Sequence, residues 1–333
     1  MRLLVLGGAG FIGSNFVRYL AQKKEHRILV YDLLTYAGRF ENIADLIENK
    51  RIDFVKGDIC DEKLLKKVIR EFDPDIIVNF VAESHVDRSI NEPSRFIKTN
   101  IVCHHILLEV LRTLDKPLLH TSTDEVYGEL PEGVYADESF PLNPGNPYSA
   151  SKAGFDLLLK AYGRIYGLKH IIVRPSNNYG PRQHPEKLIP RTIVRLLLGL
   201  KATIYGSGSQ IRDWLYVEDT SRAYETILKK GRFGEIYNIC AHNLSSVENV
   251  IYKIVKIMNK KLKEEIVYVR GRPGEDRRYA MICEKVKKLG WKPRVDLDAG
   301  LRITVEWYKA NEWWWRPLVN EYVLRDIPWE MTL

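Results

Sequence analysis

Six short apolar runs punctuate residues 2–175: RLLVLG at 2–7, RILVYD at 27–32, IDFVKGD at 52–58, DIIVNF at 75–80, PLLHTS at 117–122 and HIIVRP at 170–175. Stretches with helical periodicity separate them, clearest at 94–114 and 148–167. Continuous apolar strands alternating with amphipathic helices predict a parallel sheet covered on both faces, the α/β architecture of a Rossmann-type doubly wound domain. After Pro175 the pattern breaks up, and Asn177, Asn178, Gly180, Pro181 and Pro185 mark loops before a helical stretch at 187–199. A smaller α/β substrate-binding lobe is expected to begin there. WLYVEDTSRAYETILKK at 214–230 reads as a further strand and helix of the first domain. The expected division is therefore discontinuous, with residues 1–175 and about 203–232 binding the dinucleotide, and 176–202 and about 233–333 binding the substrate. Internal repeats and low-complexity segments are absent.

With 45% hydrophobic and 11% aromatic residues in 333, the chain can bury a sizeable core. It contains no apolar run of the roughly 18 residues a membrane span requires. The N-terminus enters a strand pattern directly, so a cytoplasmic, unprocessed protein without membrane contact is expected. Cys60, Cys103, Cys240 and Cys283 are far apart and form no C-x-x-C pair. The expectation is four free, mostly buried thiols, with neither a disulfide framework nor a metal site. The formal charge is +8, and residues 253–294 alone hold 14 Lys/Arg against 5 Asp/Glu, a local +9. Those basic residues mix with Glu264, Glu265, Glu275 and Asp276. The pattern suits a solvated face, or attraction of a pyrophosphate, better than nucleic acid, which is not expected as a partner.

Candidate chemistry begins at GGAGFIG, residues 7–13, which follows a strand and opens a helix. Gly7, Gly10 and Gly13 permit a tight turn, close approach to a pyrophosphate and close helix–strand packing, while Phe11 and Ile12 start the helix whose N-terminus favours an anion. Asp32 ends the second strand, where a carboxylate binds ribose hydroxyls and repels a 2′-phosphate; NAD is expected as cofactor rather than NADP. Asp58 and Ile59 after the third strand would flank an adenine, and Val81 and Ala82 after the fourth would line the same cleft. Tyr148 and Lys152 stand one helical turn apart. An ammonium beside a phenol stabilises phenolate, so Tyr148 can take a hydroxyl proton as hydride leaves carbon. Thr123, Asp124 and Glu125 follow the fifth strand. Thr123 can hydrogen-bond the same substrate oxygen, and two adjacent carboxyl groups suggest a pocket that also moves protons and water.

These residues bring a family into view. On GGAGFIG, DLLTYAG at 32–38, AESHVDRSI at 82–90, TSTDEVYG at 121–128, NPYSASKA at 146–153, RPSNNYGPRQHPEKLIP at 174–190, YGSGSQIRDWLYVED at 205–219 and RPGEDRRYA at 272–280, the chain resembles the extended short-chain dehydrogenase/reductases. Within them it is similar to the NAD-dependent sugar-nucleotide 4,6-dehydratases, the TDE triplet being the specific part. The resemblance implies dTDP-glucose as substrate, in deoxysugar (dTDP-rhamnose) biosynthesis. Tyr148 would deprotonate the C4 hydroxyl, Glu125 would act as base at C5, and Asp124 would protonate the departing C6 hydroxyl. It further implies Asn177 at the cofactor, and Ser84, His85, Asp87, Thr123, Asn178, Lys187, Leu188, Arg212 and Asn243 at the sugar nucleotide. Glu275 stands where the family usually reads RPGHD, and its carboxylate would repel phosphate unless Arg272 or Arg277 neutralises it. Helices 94–114 and 148–167 would pair two copies into a homodimer. Trp313, Trp314, Trp315 and Trp329 are expected to pack onto the body. Competing readings are a UDP- or GDP-sugar 4,6-dehydratase or epimerase of the same fold, and, from another class, a non-catalytic dinucleotide-binding regulator or RNA binder.

Overall fold

The computed structural model describes residues 1–330. Among the described residues twelve strands form: β1 Arg2–Leu6, β2 Arg27–Asp32, β3 Asp53–Lys56, β4 Ile76–Asn79, β5 Leu118–Thr121, β6 His170–Pro175, β7 Asn177–Tyr179, β8 Ala202–Tyr205, β9 Ile211–Tyr216, β10 Ile236–Ile239, β11 Leu244–Ser246 and β12 Ile266–Val269. Seven of them make one parallel sheet in the order β10-β6-β5-β4-β1-β2-β3. All six apolar runs lie in it.

The sheet is buried on both faces because its strands are apolar on both faces. In β1, Leu3 and Val5 join a core with Phe16, Val17 and Leu20 of helix Phe11–Lys23 and with Ala223 and Ile227 of helix Val217–Lys230. Leu4 and Leu6 point the other way, into a core with Leu65, Leu107, Phe155 and Leu159 from helices Glu62–Phe72, His104–Leu114 and Pro147–Tyr166. The chain runs outward through β2 and β3, then returns to β4 on the other side of β1. This reversal leaves a crevice at the carboxyl ends of β1 and β4, where such sheets bind ligands.

The helical stretch read at 94–114 has a substructure. Helix Pro93–Ile97 passes into a π-helical turn, Lys98–Cys103, and then into His104–Leu114. Within that turn Asn100 accepts from the Glu83 N–H at 2.9 Å and donates to the Glu83 carbonyl at 3.0 Å and to Ser151 Oγ at 2.9 Å. One side chain thereby fixes the loop after β4 against the helix that carries Tyr148.

The smaller lobe comprises a three-stranded sheet, β11-β9-β7, a parallel pair, β12-β8, and helices Leu188–Leu197, Val247–Ile257 and Leu297–Ala310 around a third core. The strands of 203–216 thus sit outside the parallel sheet, while β10, read as part of the second lobe, is the sheet's edge strand. β10 pairs in parallel with β6 and completes the crossover that runs through helix Val217–Lys230. The tryptophan segment packs inward. Trp314 Nε1 donates to Asn42 Oδ1 at 2.8 Å, its carbonyl accepts from Arg39 at 2.8 Å, and Trp329 lies edge-on to Tyr205. Trp315 is buried too, whereas Trp313 is exposed.

The cysteines correct the sequence expectation. Cys60 is bonded to Cys103 and Cys240 to Cys283, with Cα atoms 4.6 and 5.9 Å apart. Each pair spans 43 residues and is juxtaposed by the fold, so spacing along the chain carried no sign of it. Among the described residues no helix is long and apolar enough to cross a membrane.

Candidate active site

A cavity of about 410 Å³ opens at the crevice. Gly7, Gly10, Phe11, Ile12, Gly13, Asp32, Asp58, Ile59, Val81, Ala82, Tyr148 and Lys152 all line it, as their motifs predict. Two glycines are sterically required here. A Cβ on Gly13 would meet the Gly7 carbonyl oxygen at 2.3 Å, and one on Gly7, at φ +73°, would meet the Val81 nitrogen at 2.7 Å. Asp32 accepts from Ala9 N–H at 2.9 Å and Leu34 N–H at 2.8 Å. Burial raises its pKa, and those two backbone donors oppose the rise. A glycine-built turn at a helix N-terminus, a carboxylate closing β2 and an elongated cleft reaching Tyr148 fit a dinucleotide along their whole length.

The reactive groups meet where β5 ends. Thr123 is extended and caps the short 3₁₀ turn Asp124–Tyr127; its Oγ1 accepts from Glu125 N–H at 3.3 Å and donates to Asp124 Oδ1 at 3.2 Å. Tyr148 lies in the first turn of helix Pro147–Tyr166, which opens with a reciprocal capping box between Asn146 and Ser149. The Asn146 amide also donates to Glu125 Oε2 at 3.3 Å, tying the helix that carries Tyr148 to the acid pair. Asp124 is buried, and burial together with the neighbouring Glu125 pushes its pKa up to about 8. It is therefore a protonated carboxylic acid at neutral pH.

The tyrosine–lysine balance differs from the sequence expectation. Burial, then Glu125, drives the Tyr148 phenol well above its ordinary value, although a Thr123 hydrogen bond opposes them. Lys152 Nζ sits 2.6 Å from the Thr121 carbonyl, and burial brings its pKa down to about 8.

A second cleft of about 180 Å³ adjoins the first and shares Ser84, Gln183, Glu186 and Lys187 with it. His85, Asp87, Glu125, Asn178, Leu188, Arg212 and Glu275 line it as expected, and Asn177 opens here rather than onto the larger cavity. Asn243 lines neither cleft; its backbone N–H is held by Asp213 and its amide faces the Trp214 carbonyl. Arg212 donates to the Ile211 and Asp276 carbonyls and stacks on Tyr279 at 4.2 Å. Arg272 neutralises the unexpected acid: it donates to Glu275 at 3.0 Å and to Asp87 at 2.7 Å, and Gln210 donates to the other Glu275 oxygen at 2.9 Å. Arg191, Gln210, Tyr205 and Tyr279 also line this cleft. Sequence reading did not assign them to the site, because they arrive from three segments far apart in the chain. The local signals were YGSGSQIRDWLYVED, which holds Tyr205 and Gln210, and RPGEDRRYA, which holds Arg272 and Tyr279.

The sheet, the glycine turn and the Tyr148–Lys152 pair define an extended short-chain dehydrogenase/reductase. A sequence profile of GDP-mannose 4,6 dehydratase matches residues 4–304, and the chain belongs to that family. It is 45% identical over 340 residues to dTDP-glucose 4,6-dehydratase 1 of Escherichia coli K12, covering 94% of each chain. Among solved structures, the dTDP-glucose 4,6-dehydratase of Streptomyces venezuelae with NAD bound has a TM-score of 0.92 at 43% identity, covering 96% of this chain and all of that one. The dTDP-glucose 4,6-dehydratase of Bacillus anthracis, in complex with NAD, has a TM-score of 0.90 at 43% identity with the same coverage.

Proposed function

We propose that the protein is an NAD-dependent dTDP-glucose 4,6-dehydratase, yielding dTDP-4-keto-6-deoxy-glucose and water. The observation that carries this reading is the protonated Asp124 beside Glu125, set against a tyrosine–lysine pair in a dinucleotide cleft. An enzyme that only oxidises and re-reduces an alcohol has no use for a neutral carboxylic acid; one that expels a hydroxyl group does.

Gly7, Gly10, Phe11, Ile12 and Gly13 would hold the NAD pyrophosphate, Asp32 its ribose, and Asp58 with Ile59 its adenine. Bound there, NAD supplies a hydride acceptor for C4 and returns the same hydride to C6. Beside Lys152 and the positive charge of a bound NAD, Tyr148 would take the C4 hydroxyl proton as a phenolate, with Thr123 bonded to the same oxygen. The C4 ketone acidifies the C5 hydrogen, which Glu125 removes, and Asp124 gives its proton to the C6 hydroxyl as that C–O bond breaks. Glu125 later returns a proton to C5. Lys187, Arg212 and Arg272 supply cationic contacts for the diphosphate, with Asn178 and Leu188 beside them. Ser84, His85 and Asp87 wall the sugar.

Exposed Ile97, Val102, Leu157, Ile165 and Tyr166 on the two long helices support pairing of two copies there. A cytoplasmic location is part of this reading. Incubation with dTDP-, UDP- and GDP-linked sugars, read by mass, tests it: loss of one water from dTDP-glucose without net NADH is expected. Conversion of only the UDP or GDP compound would overturn the base assignment.

A further inference from the structure

None of the sequence motifs falls in residues 320–330, yet the fold brings this segment against the second cleft. Asn320 caps a single helical turn, Glu321–Leu324, its side chain accepting from the Tyr322 N–H at 3.0 Å. The carbonyls of so short a turn find few partners within it. Two buried guanidinium groups, one helical turn apart on helix Leu188–Leu197, take them up. Arg191 Nε donates to the Tyr322 carbonyl at 3.0 Å and its Nη2 to that of Arg325, while Arg195 donates to the Val323 carbonyl at 3.0 Å and to that of Leu324. Arg191 itself lines the second cleft, as do Lys187 and Leu188 where the same helix begins.

Two aromatic side chains of the segment are buried against residues that face the cleft. Trp329 lies edge-on to Tyr205, with ring centres 4.3 Å apart. Tyr322 takes the Arg88 guanidinium over its ring at 4.0 Å and lies 5.8 Å from the His85 ring. Arg88 in turn donates to Glu186 at 2.9 Å. Tyr205, His85 and Glu186 all line the cleft. Val323 anchors the segment in the third core, of which Tyr322 and Trp329 are not members.

We propose that residues 320–330 form a wall behind the sugar-nucleotide cleft, and that Tyr322 and Trp329 are positioning residues for sugar-nucleotide binding. This role rests on the dehydratase reading only for the identity of the ligand. A cleft residue backed by a packed ring has one resting place. With the ring removed, Tyr205 or His85 can fall back into the space it leaves, and the ligand must order that residue as it binds, which costs affinity. Thr123, Asp124, Glu125 and Tyr148 are carried by the end of β5 and by helix Pro147–Tyr166 instead. Loss of the wall therefore weakens ground state and transition state alike, which raises KM and leaves kcat unchanged.

The test uses the full-length, NAD-loaded protein with Trp329→Ala, Tyr322→Ala and the ring-keeping variants Trp329→Phe and Tyr322→Phe. Calorimetry reads the affinity for dTDP, and steady-state kinetics reads KM and kcat for dTDP-glucose. Each alanine variant should bind dTDP about ten-fold more weakly and raise KM by about the same factor. Affinity for NAD and kcat should stay within about two-fold of wild type, and the phenylalanine variants should recover most of the lost dTDP affinity. Wild-type affinity for dTDP in the alanine variants overturns the proposal, and so does a kcat that falls as far as KM rises. The Tyr322 pair decides the matter if Trp329→Ala does not fold. Weakened dTDP binding in the alanine variants of a protein whose wild type leaves dTDP-glucose intact would overturn the functional reading and keep this inference.

Discussion

In the proposed mechanism Asp124 is the residue on which the chemistry turns. Its acid form exists below about pH 8 because burial and Glu125 disfavour a second negative charge. Water loss should therefore decline as pH rises through that value, whereas C4 oxidation should not follow the same limb. Asp124→Asn should lower kcat by about 10²- to 10⁴-fold while still oxidising C4, so that NADH absorbance accumulates in a single turnover instead of vanishing. An unchanged kcat would remove Asp124 from the acid role. Residues at strand ends were legible from sequence: Asp32, Asp58, Thr123, Asp124 and Glu125 each follow an apolar run that fixes where they sit. The rise in the Tyr148 pKa was not, since it depends on burial that pattern alone does not reveal.

At the level of elements, the six long apolar runs were readable because parallel strands bury both faces, which makes them continuous in sequence. The edge strand Ile236–Ile239 and the short strands of the smaller lobe lack that continuity. Helix pairing supplies a stability test. Glu225, on helix Val217–Lys230, accepts from Tyr19 at 2.8 Å, from Lys23 at 2.6 Å and from Lys229 at 2.9 Å, joining that helix to Phe11–Lys23. Burial alone would raise its pKa, but these three donors outweigh burial and bring it to about 2. The folded value lies below the unfolded one of ~4.3, so the stabilisation is complete above that pH and disappears as pH falls toward 2. Glu225→Gln should cost about 1 kcal/mol at pH 7, a figure reduced by solvent screening. The difference from wild type in chemical denaturation should shrink between pH ~4.3 and about 2. A gap that persists at the acid end would assign the loss to packing instead.

For the molecule as a whole, the two disulfides each close 43 residues, and the loop-entropy relation gives about 4 kcal/mol apiece. Dithiol reduction should lower the thermal midpoint and release four titratable thiols on denaturation, against none before reduction; four thiols without reductant would contradict the pairing. In the proposed cycle one pocket oxidises C4, expels water across C5 and C6, and returns the same hydride to C6. It is tested most directly by turnover of dTDP-glucose carrying deuterium at C4, with NAD present. The expected product is lighter by one water and carries deuterium at C6. A product with deuterium washed out to solvent, or an epimer that retains every oxygen, would contradict it.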